Sequence, residues 1–248
     1  MKPVLLITGA SRGIGAATAV LSAQAGWDIV VNYTQNKAAA EALCKQLESL
    51  GAKTLCVQAD VGNEGQILKM FAQIDSHFGA LHGLVNNAGV VDMTSKVVDM
   101  SWERLERMMR INILGTIACS KEAIKRMSTE HAGQGGSIVN LSSVAAKIGG
   151  ATQYVDYAAS KGAIDSFTTG LARELATQGI RVNAVRPGII DTEIHASGGQ
   201  PNRAKDAAGA VPMQRAGSAE EVGKAIVWLL SNDASYTTGA VLDVSGGR

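Results

Sequence analysis

The 248-residue chain lacks the features that point to metal, membrane or nucleic-acid chemistry. Its three cysteines, Cys44, Cys56 and Cys119, show no paired or metal-ligand spacing, which is typical of free thiols in a reducing compartment. The four histidines are scattered and form no HExxH-like motif, so we expect no metal site. No apolar run approaches the roughly 18 residues of a membrane span. The formal net charge is +1 with no basic block, so we expect neither a membrane nor a nucleic acid as a partner.

The chain alternates predicted strands and helices without an evident linker. A first strand begins at Val4 and no signal peptide is evident, so we expect a cytoplasmic protein. The strands are continuous apolar runs, which indicates a parallel sheet covered by helices on both faces. The sequence therefore predicts an α/β fold, a doubly wound seven-stranded parallel sheet. The predicted strands lie at Val4–Ile7, Ile29–Val31, Thr54–Val57, Leu84–Val85, Ile138–Leu141, Ile180–Val185 and Val241–Val244, and the longer predicted helices at Gly65–Phe78, Ser101–Met127 and from Tyr157 to about Ala176.

A glycine-rich segment, Thr8–Gly15, follows the first predicted strand and opens an amphipathic stretch. Its spacing is GxxxGxG. At a strand-to-helix turn, glycines permit tight chain reversal, and the helix N-terminus offers unpaired N–H groups to a phosphate. The alternative is an ordinary glycine-rich turn.

Tyr157 and Lys161 are four residues apart in a segment that we predict to be helical. Residues at this spacing share one helix face. A nearby ammonium favours the phenolate form of tyrosine and lowers its pKa, which suits proton exchange with an alcohol or a carbonyl oxygen. A solvated helix face gives the same spacing.

Polar or glycine-rich groups follow four further predicted strands: Asp60-Val61, Asn86–Gly89, Ser142-Ser143 and Pro187-Gly188. Each group alone is more often a turn than a site. In a doubly wound sheet the carboxyl ends of the strands lie at one edge, where ligands bind. We therefore expect these groups to meet there.

Five of these motifs together resemble the classical short-chain dehydrogenase/reductase family: Thr8–Gly15, Asn86–Gly89, Ser143, the Tyr157/Lys161 pair and Pro187-Gly188. The resemblance covers essentially the whole chain. It implies a single Rossmann-type catalytic domain, residues 1–248, that transfers a hydride between NAD(P) and a carbonyl or secondary alcohol.

The catalytic residues implied by the resemblance are Asn112, Ser143, Tyr157 and Lys161. Tyr157 would be the general acid in reduction and the base in oxidation, and Lys161 would lower its pKa and hold the nicotinamide ribose. Ser143 would hydrogen-bond the substrate oxygen, and Asn112 would anchor a water that relays protons from Lys161. The structural alternative for Asn112 is a polar residue pairing a helix backbone group.

The serine assignment departs from the family pattern, because Ser143 lies one residue further from Tyr157 than is usual. We interpret this as one extra residue in the loop 147–156, with Ser142 as the alternative catalytic serine. The inserted Gln153-Tyr154 would then reshape the substrate mouth; the alternative is a surface loop of different length.

The cofactor prediction depends on the end of the second strand, Asn32–Thr34, where NAD-preferring members carry an acidic residue. No acid is found here, which permits the 2′-phosphate of NADP. Arg12 is either a phosphate ligand or a solvated surface residue. We expect NADP(H), with NAD(H) as the alternative. The cofactor-binding residues implied by the resemblance are Gly9, Ser11, Arg12, Gly13, Ile14, Gly15, Asp60, Val61, Asn87, Ala88, Gly89, Tyr157, Lys161, Pro187, Gly188, Ile190 and Thr192.

The substrate is less well specified than the reaction. A lid at about 191–213 matches the family's mobile segment in place. A ketoacyl-thioester reductase and a glucose-like sugar dehydrogenase are the nearest alternatives, although Gln134 and Gln178 stand where carrier-protein reductases tend to have basic residues. A non-catalytic nucleotide sensor is the alternative of another class. The family also implies a homotetramer. Candidate pocket residues are Asp92, Met93, Gln153, Tyr154, Glu193, His195 and Met213.

Overall fold

Seven parallel strands form the central sheet of the computed structural model, which describes residues 2–248 except the side chains of His195 and Ser197. The strand order is β3-β2-β1-β4-β5-β6-β9, so the chain winds outward in both directions from β1. The predicted doubly wound parallel sheet is therefore confirmed. Its strands are β1 (Val4–Ile7), β2 (Asp28–Tyr33), β3 (Thr54–Gln58), β4 (Gly83–Asn86), β5 (Gly136–Leu141), β6 (Ile180–Pro187) and β9 (Val241–Val244), while β7 (Ile190–Asp191) and β8 (Gly217–Ser218) form a separate short pair.

Helices cover both faces of the sheet because the strands bury apolar side chains in two directions. In β1, Leu5 and Ile7 pack in one hydrophobic cluster, whereas Val4 and Leu6 pack in the other. This alternation follows from the two-residue period of a strand. The helices are α1 (Gly13–Gln24), α2 (Lys37–Ser49), α3 (Glu64–Phe78), α4 (Trp102–Met109), α5 (Gly115–Met127), α6 (Ala145–Ile148), α7 (Val155–Leu175), α8 (Ile194–Ser197), α9 (Arg203–Asp206) and α10 (Ala219–Leu230). None of the described helices combines the length and apolarity needed to cross a bilayer.

The long helix predicted over Ser101–Met127 is interrupted. A π-helical turn, Arg110–Leu114, separates α4 from α5 and contains the buried Asn112. A π-turn inserts one residue into an α-helix and occurs frequently at functional sites. The hydrophobic period alone could not reveal it, because the axis of the helix continues across the turn.

The cysteines are free thiols in the structure. The side chains of Cys44 and Cys56 hydrogen-bond with each other, a contact that their sequence spacing did not indicate. Burial raises the pKa of Cys44 and of Cys119 to about 12, so both thiols stay protonated near neutral pH.

A buried ion pair fixes α4 against the beginning of α7, next to Tyr157. Arg104 Nε donates to Asp156 Oδ2 at 2.8 Å, and Arg104 Nη2 donates to Asp156 Oδ1 at 3.2 Å. The Asp156 side chain is fully buried. Such a two-pronged pair fixes both the distance and the angle between two helices.

We expect Arg104→Met to lower the free energy of unfolding by about 3 kcal/mol, because the Asp156 carboxylate would be left buried without its cation. The matched control is Arg107→Met on the same helix, whose pair with Asp92 is largely exposed and is worth less than about 1 kcal/mol. Urea denaturation of the two variants gives the comparison. Equal losses would contradict a special role for the buried pair.

Candidate active site

The glycine-rich turn has the backbone conformation that only glycine adopts readily. Gly9 and Gly13 have φ angles of +62° and +58°, in the left-handed region. A Cβ on Gly15 would lie 2.6 Å from Asn87 Nδ2 and 2.9 Å from Gly9 O. The turn therefore tolerates side chains at none of these three positions without a backbone shift.

The N-terminus of α1 has no side-chain cap. Arg12 is the N-cap residue, no side chain caps the helix, and no acidic residue lies in its first turn. The positive end of the helix dipole is thus open to an anion. The glycines of the turn and the open helix end fit the diphosphate of a dinucleotide.

Hydrogen bonds hold this turn against the end of β4. Asn87 Nδ2 donates to the carbonyl oxygens of Thr8 and Gly9, at 2.9 Å and 3.0 Å. Thr8 Oγ1 accepts from the backbone N–H groups of Asn87 and Ala88, both at 3.0 Å. The segments after β1 and β4 therefore meet at one edge of the sheet, as expected.

Asn32 is a buried positioning residue that sequence reasoning missed. The sequence marks this position only by the missing acid at the end of β2. Its Oδ1 accepts from Gly9 N at 3.1 Å, and its Nδ2 donates to Ala59 O at 3.0 Å. Asn32 thus connects the glycine-rich turn to the end of β3, and no local sequence signal indicates this.

A cavity of about 310 Å³ opens at the carboxyl edge of the sheet and brings most of the predicted residues together. The predicted residues in its lining are Ile14, Asn87, Gly89, Ser143, Tyr157, Lys161, Pro187, Gly188, Ile190 and Thr192. The others lie outside this lining, in the turns after β1, β3 and β4, in the first turn of α1 and in the π-turn: Gly9, Ser11, Arg12, Gly13, Gly15, Asp60, Val61, Ala88 and Asn112.

The structure distinguishes the two candidate serines. The Ser143 hydroxyl lies close enough to Tyr157 to lower the pKa of its phenol, and Ser143 lines the cavity. Ser142 is buried, and its hydroxyl donates to the backbone carbonyl of Lys161 at 3.2 Å. Ser143 is therefore the serine that faces the phenol.

The pKa of Tyr157 does not move in the expected direction. Burial raises the pKa of the Tyr157 phenol, and the nearby Ser143 hydroxyl offsets this only in part. Lys161 Nζ lies 5.6 Å from the centre of the Tyr157 ring. The predicted lowering of the pKa by Lys161 is not found, because burial sets the direction, and Tyr157 is protonated at neutral pH.

Lys161 carries a strongly desolvated ammonium. Burial lowers its pKa to about 8, and the Asp165 carboxylate opposes this shift only in part. Its Nζ donates to the carbonyl oxygen of Leu141 at 2.6 Å. A lysine with this pKa gains and loses a proton near neutral pH, unlike an exposed lysine.

Asn112 makes contacts that connect the π-turn to this cluster. Its Oδ1 accepts from Val90 N at 2.8 Å, and its Nδ2 donates to Ser160 Oγ at 3.1 Å. A Cβ on Gly89 would lie 3.4 Å from Asn112 Oδ1 and 3.5 Å from Lys161 Nζ. Asn112 and Lys161 therefore converge on Gly89, although Asn112 pairs with the backbone of Val90 and not with that of its own helix.

Two predicted cofactor residues have partners within the protein. Arg12 Nη1 lies 2.9 Å from Glu193 Oε2, an ion pair that is largely exposed. Asp60 Oδ1 accepts from Gly62 N at 2.8 Å. Arg12 is thus neither a purely solvated residue nor unpaired, and a phosphate would have to compete with Glu193 for it.

The rest of the cavity lining differs from the candidate pocket residues that the sequence suggests. Gln153 and Tyr154 line it, but Asp92, Met93, Glu193 and Met213 do not. The side chain of His195 lies outside the described residues. Sequence reasoning missed the apolar wall and two cations in the lining: Val91, Val144, Ile148, Ile189, Ile194, Arg203 and Arg248. Among the residues that the structure describes, no cluster of three His, Cys, Asp or Glu side chains suits a metal ion.

Comparisons with known proteins agree with this geometry. A family model described as enoyl-(acyl carrier protein) reductase matches residues 9–248. The chain is 51% identical over 245 residues to an uncharacterized oxidoreductase, YgfF, of Escherichia coli, with 99% of both chains covered. It is 36% identical to glucose 1-dehydrogenase 2 of Bacillus subtilis, covering 98% of this chain and 93% of that one.

The solved structures are similar over almost the whole fold. A short-chain dehydrogenase/reductase mutant from Serratia marcescens superposes with a TM-score of 0.90 at 32% identity, covering 99% of this chain and 97% of the other. The chain therefore belongs to the short-chain dehydrogenase/reductase family. It is an oxidoreductase of that family, whose members use nicotinamide cofactors.

We expect Lys161→Met to raise the free energy of unfolding at pH 7 by about 2 kcal/mol, because it removes a buried charge whose pKa is depressed. The folded lysine loses its proton near pH 8, whereas the unfolded one keeps it to higher pH. The gain should therefore be complete below pH 8 and disappear as the pH rises toward the ordinary lysine pKa.

Urea denaturation at about pH 7 and about pH 10 measures this difference. The exposed Lys69→Met on α3 serves as the control and should change stability little at either pH. A Lys161→Met variant that is less stable than the parent at both pH values would contradict the desolvation argument.

Proposed function

We propose that the protein transfers a hydride between NADP(H) and a carbonyl or secondary-alcohol substrate, with Tyr157 as the proton donor or acceptor. The observation that carries the proposal is the presence of Ser143, Tyr157 and Lys161 in the lining of one cavity, where the Ser143 hydroxyl acts on the pKa of the Tyr157 phenol. These are the groups that such a reaction needs at the reacting oxygen.

The residues near the glycine-rich turn would hold the cofactor. The N–H groups at the start of α1 suit its diphosphate, and Lys161 suits the hydroxyls of the nicotinamide ribose. The nicotinamide ring would be positioned by four residues of the cavity lining: Pro187, Gly188, Ile190 and Thr192. The bound nicotinamide supplies or accepts the hydride.

The protein's own residues would handle the oxygen and its proton. Ser143 donates a hydrogen bond to the substrate oxygen and stabilises the charge that develops there. Tyr157, whose pKa is raised by burial, keeps its proton at neutral pH and donates it to the developing alkoxide. Lys161, with a pKa of about 8, can return a proton to Tyr157, with Asn112 anchoring the connecting water. This protonation state favours carbonyl reduction at neutral pH and alcohol oxidation at higher pH.

The preference for NADP(H) is supported by charge. The strand β2 ends at Asn32 and Tyr33, so no carboxylate there would repel a 2′-phosphate. The Asn32 side chain already hydrogen-bonds with the backbone of Gly9 and Ala59. Arg12 lies at the N-cap of α1, where its guanidinium can exchange Glu193 for the phosphate. NAD(H) is the alternative.

Further parts of the proposal concern domain organisation and assembly. We propose one catalytic domain, residues 1–248, with residues 191–213 as the substrate lid and a cytoplasmic location.

An interface between copies is supported by exposed apolar side chains on α4, on α5 and in the π-turn between them, among them Trp102, Ile117 and Leu114. A homotetramer is the expected assembly. Reduction of ketoacyl thioesters and oxidation of sugars are the alternative activities.

We expect Tyr157→Phe to reduce kcat by about 10²–10⁴-fold, because it removes the proton donor, while the affinity for NADPH stays within about threefold. Turnover is followed by nicotinamide absorbance and binding by NADPH fluorescence. The exposed Tyr236→Phe is the control and should retain parental kinetics. Undiminished turnover by Tyr157→Phe would rule out the catalytic assignment.

We expect Arg12→Ala to raise the KM for NADPH about tenfold or more, because a charge-assisted contact to the 2′-phosphate is lost. The KM for NADH should change less than about threefold. Glu193→Gln is the matched variant: it releases Arg12, so the KM for NADPH should stay equal or fall. Equal losses for both cofactors in Arg12→Ala would remove Arg12 from the phosphate site.

A further inference from the structure

The cavity lining includes a guanidinium far along the chain from the catalytic residues. Arg203, the first residue of α9, lines the same cavity as Ser143 and Tyr157. Much of the remaining lining is apolar and includes Val91, Ile148, Ile189 and Ile194. A ligand whose carbonyl contacts Tyr157 therefore shares the cavity with an apolar surface and a cation.

Neutral groups hold Arg203 in this position. Its Nη1 donates to Gln200 Oε1 at 2.5 Å and its Nη2 to Gln153 Oε1 at 3.1 Å. The guanidinium also lies 5.0 Å from the centre of the Tyr154 ring, a cation–π contact that leaves the positive charge in place. These contacts orient the group without neutralising it.

Most of the other arginines of the described chain form ion pairs with carboxylates. Their ion pairs have N–O distances between 2.6 and 3.2 Å and involve Arg12, Arg104, Arg107, Arg126, Arg186 and Arg215. Among the described residues, no carboxylate lies within 4.0 Å of Arg203. The described lining of the cavity contains no Asp or Glu, and Arg248 adds a second guanidinium to it.

We propose that the substrate is an anionic carbonyl compound, a keto acid or, in the reverse direction, a hydroxy acid, whose carboxylate is bound by Arg203. The guanidinium fork matches the two oxygens of a carboxylate. The apolar wall accepts the carbon chain, and Gln153 is a positioning residue for Arg203. This inference rests on the proposed function, because it names the substrate class of the same site.

The test compares aliphatic keto acids with their methyl esters. The acids form a homologous series, beginning with levulinate, in which a methyl ketone and a terminal carboxylate are separated by increasing numbers of methylene groups. For the best chain length, we expect kcat/KM to be about tenfold or more higher for the acid than for its ester.

Arg203→Gln should reduce kcat/KM for the acid by about ten- to hundredfold and change that for the ester less than about threefold. Arg203→Lys should restore part of the loss because it keeps the charge. The exposed Arg173→Gln on α7, outside the cavity lining, should change neither. Equal losses on acid and ester in Arg203→Gln, or no preference for the acid in the parent, would overturn the proposal.

A binding measurement separates this proposal from the proposed function. Hexanoate, which has no carbonyl to reduce, should raise the Tm of the parent protein and of Arg203→Lys but not that of Arg203→Gln. If no ketone is turned over, the reductase proposal fails, but a Tm shift that disappears in Arg203→Gln still supports an anion site. A shift that is absent from the parent, or unchanged in Arg203→Gln, overturns the anion site whatever the activity.

Discussion

The active-site arrangement depends on burying one ammonium. Lys161 lies on α7 with its Nζ against the carbonyl oxygen of Leu141, at the end of β5. Burying a cation costs free energy that the Asp165 carboxylate offsets only in part, and the lowered pKa of Lys161 reflects that cost. The surrounding fold must therefore hold the lysine in place. The buried hydroxyl of Ser142 donates a hydrogen bond to the Lys161 carbonyl oxygen. The ion pair between Arg104 and Asp156 fixes the start of the same helix.

The buried Lys161 is accompanied by an unusual helix, which contains the π-turn Arg110–Leu114. Asn112 reaches the cluster because the π-turn projects its amide toward Val90 and Ser160. A regular α-helix through this region would place the residue at a different angle about the axis. Gly89 then allows the asparagine and the lysine to approach the same point, because a side chain there would contact both. Stability is thus given up locally to bring polar groups together at the carboxyl edge of the sheet.

Much of the fold was predictable from the sequence, since it depends on short-range patterns. Apolar runs such as Val4–Ile7 indicate buried parallel strands, and Ser218 and Glu221 form a capping box, a local sequence signal, at the start of α10. The motifs after the strands identified the glycine-rich turn and the Ser143, Tyr157 and Lys161 set that the cavity brings together. The remaining features depend on contacts between residues far apart in sequence. The role of Asn32, the direction of the Tyr157 pKa, and the neutral setting of Arg203 all follow from burial and distance, which a linear pattern does not encode.

The bridge between Arg12 and Glu193 joins the glycine-rich turn to the start of the segment 191–213 across 181 positions of sequence. Both side chains are at least half exposed, so concentrated salt, in which the screening length falls to about 3 Å, weakens their attraction. The strength of this ion pair therefore depends on the salt concentration. In the proposed lid, we therefore expect opening of the entrance to become easier in concentrated salt, whereas the buried Lys161 is shielded from the same ions.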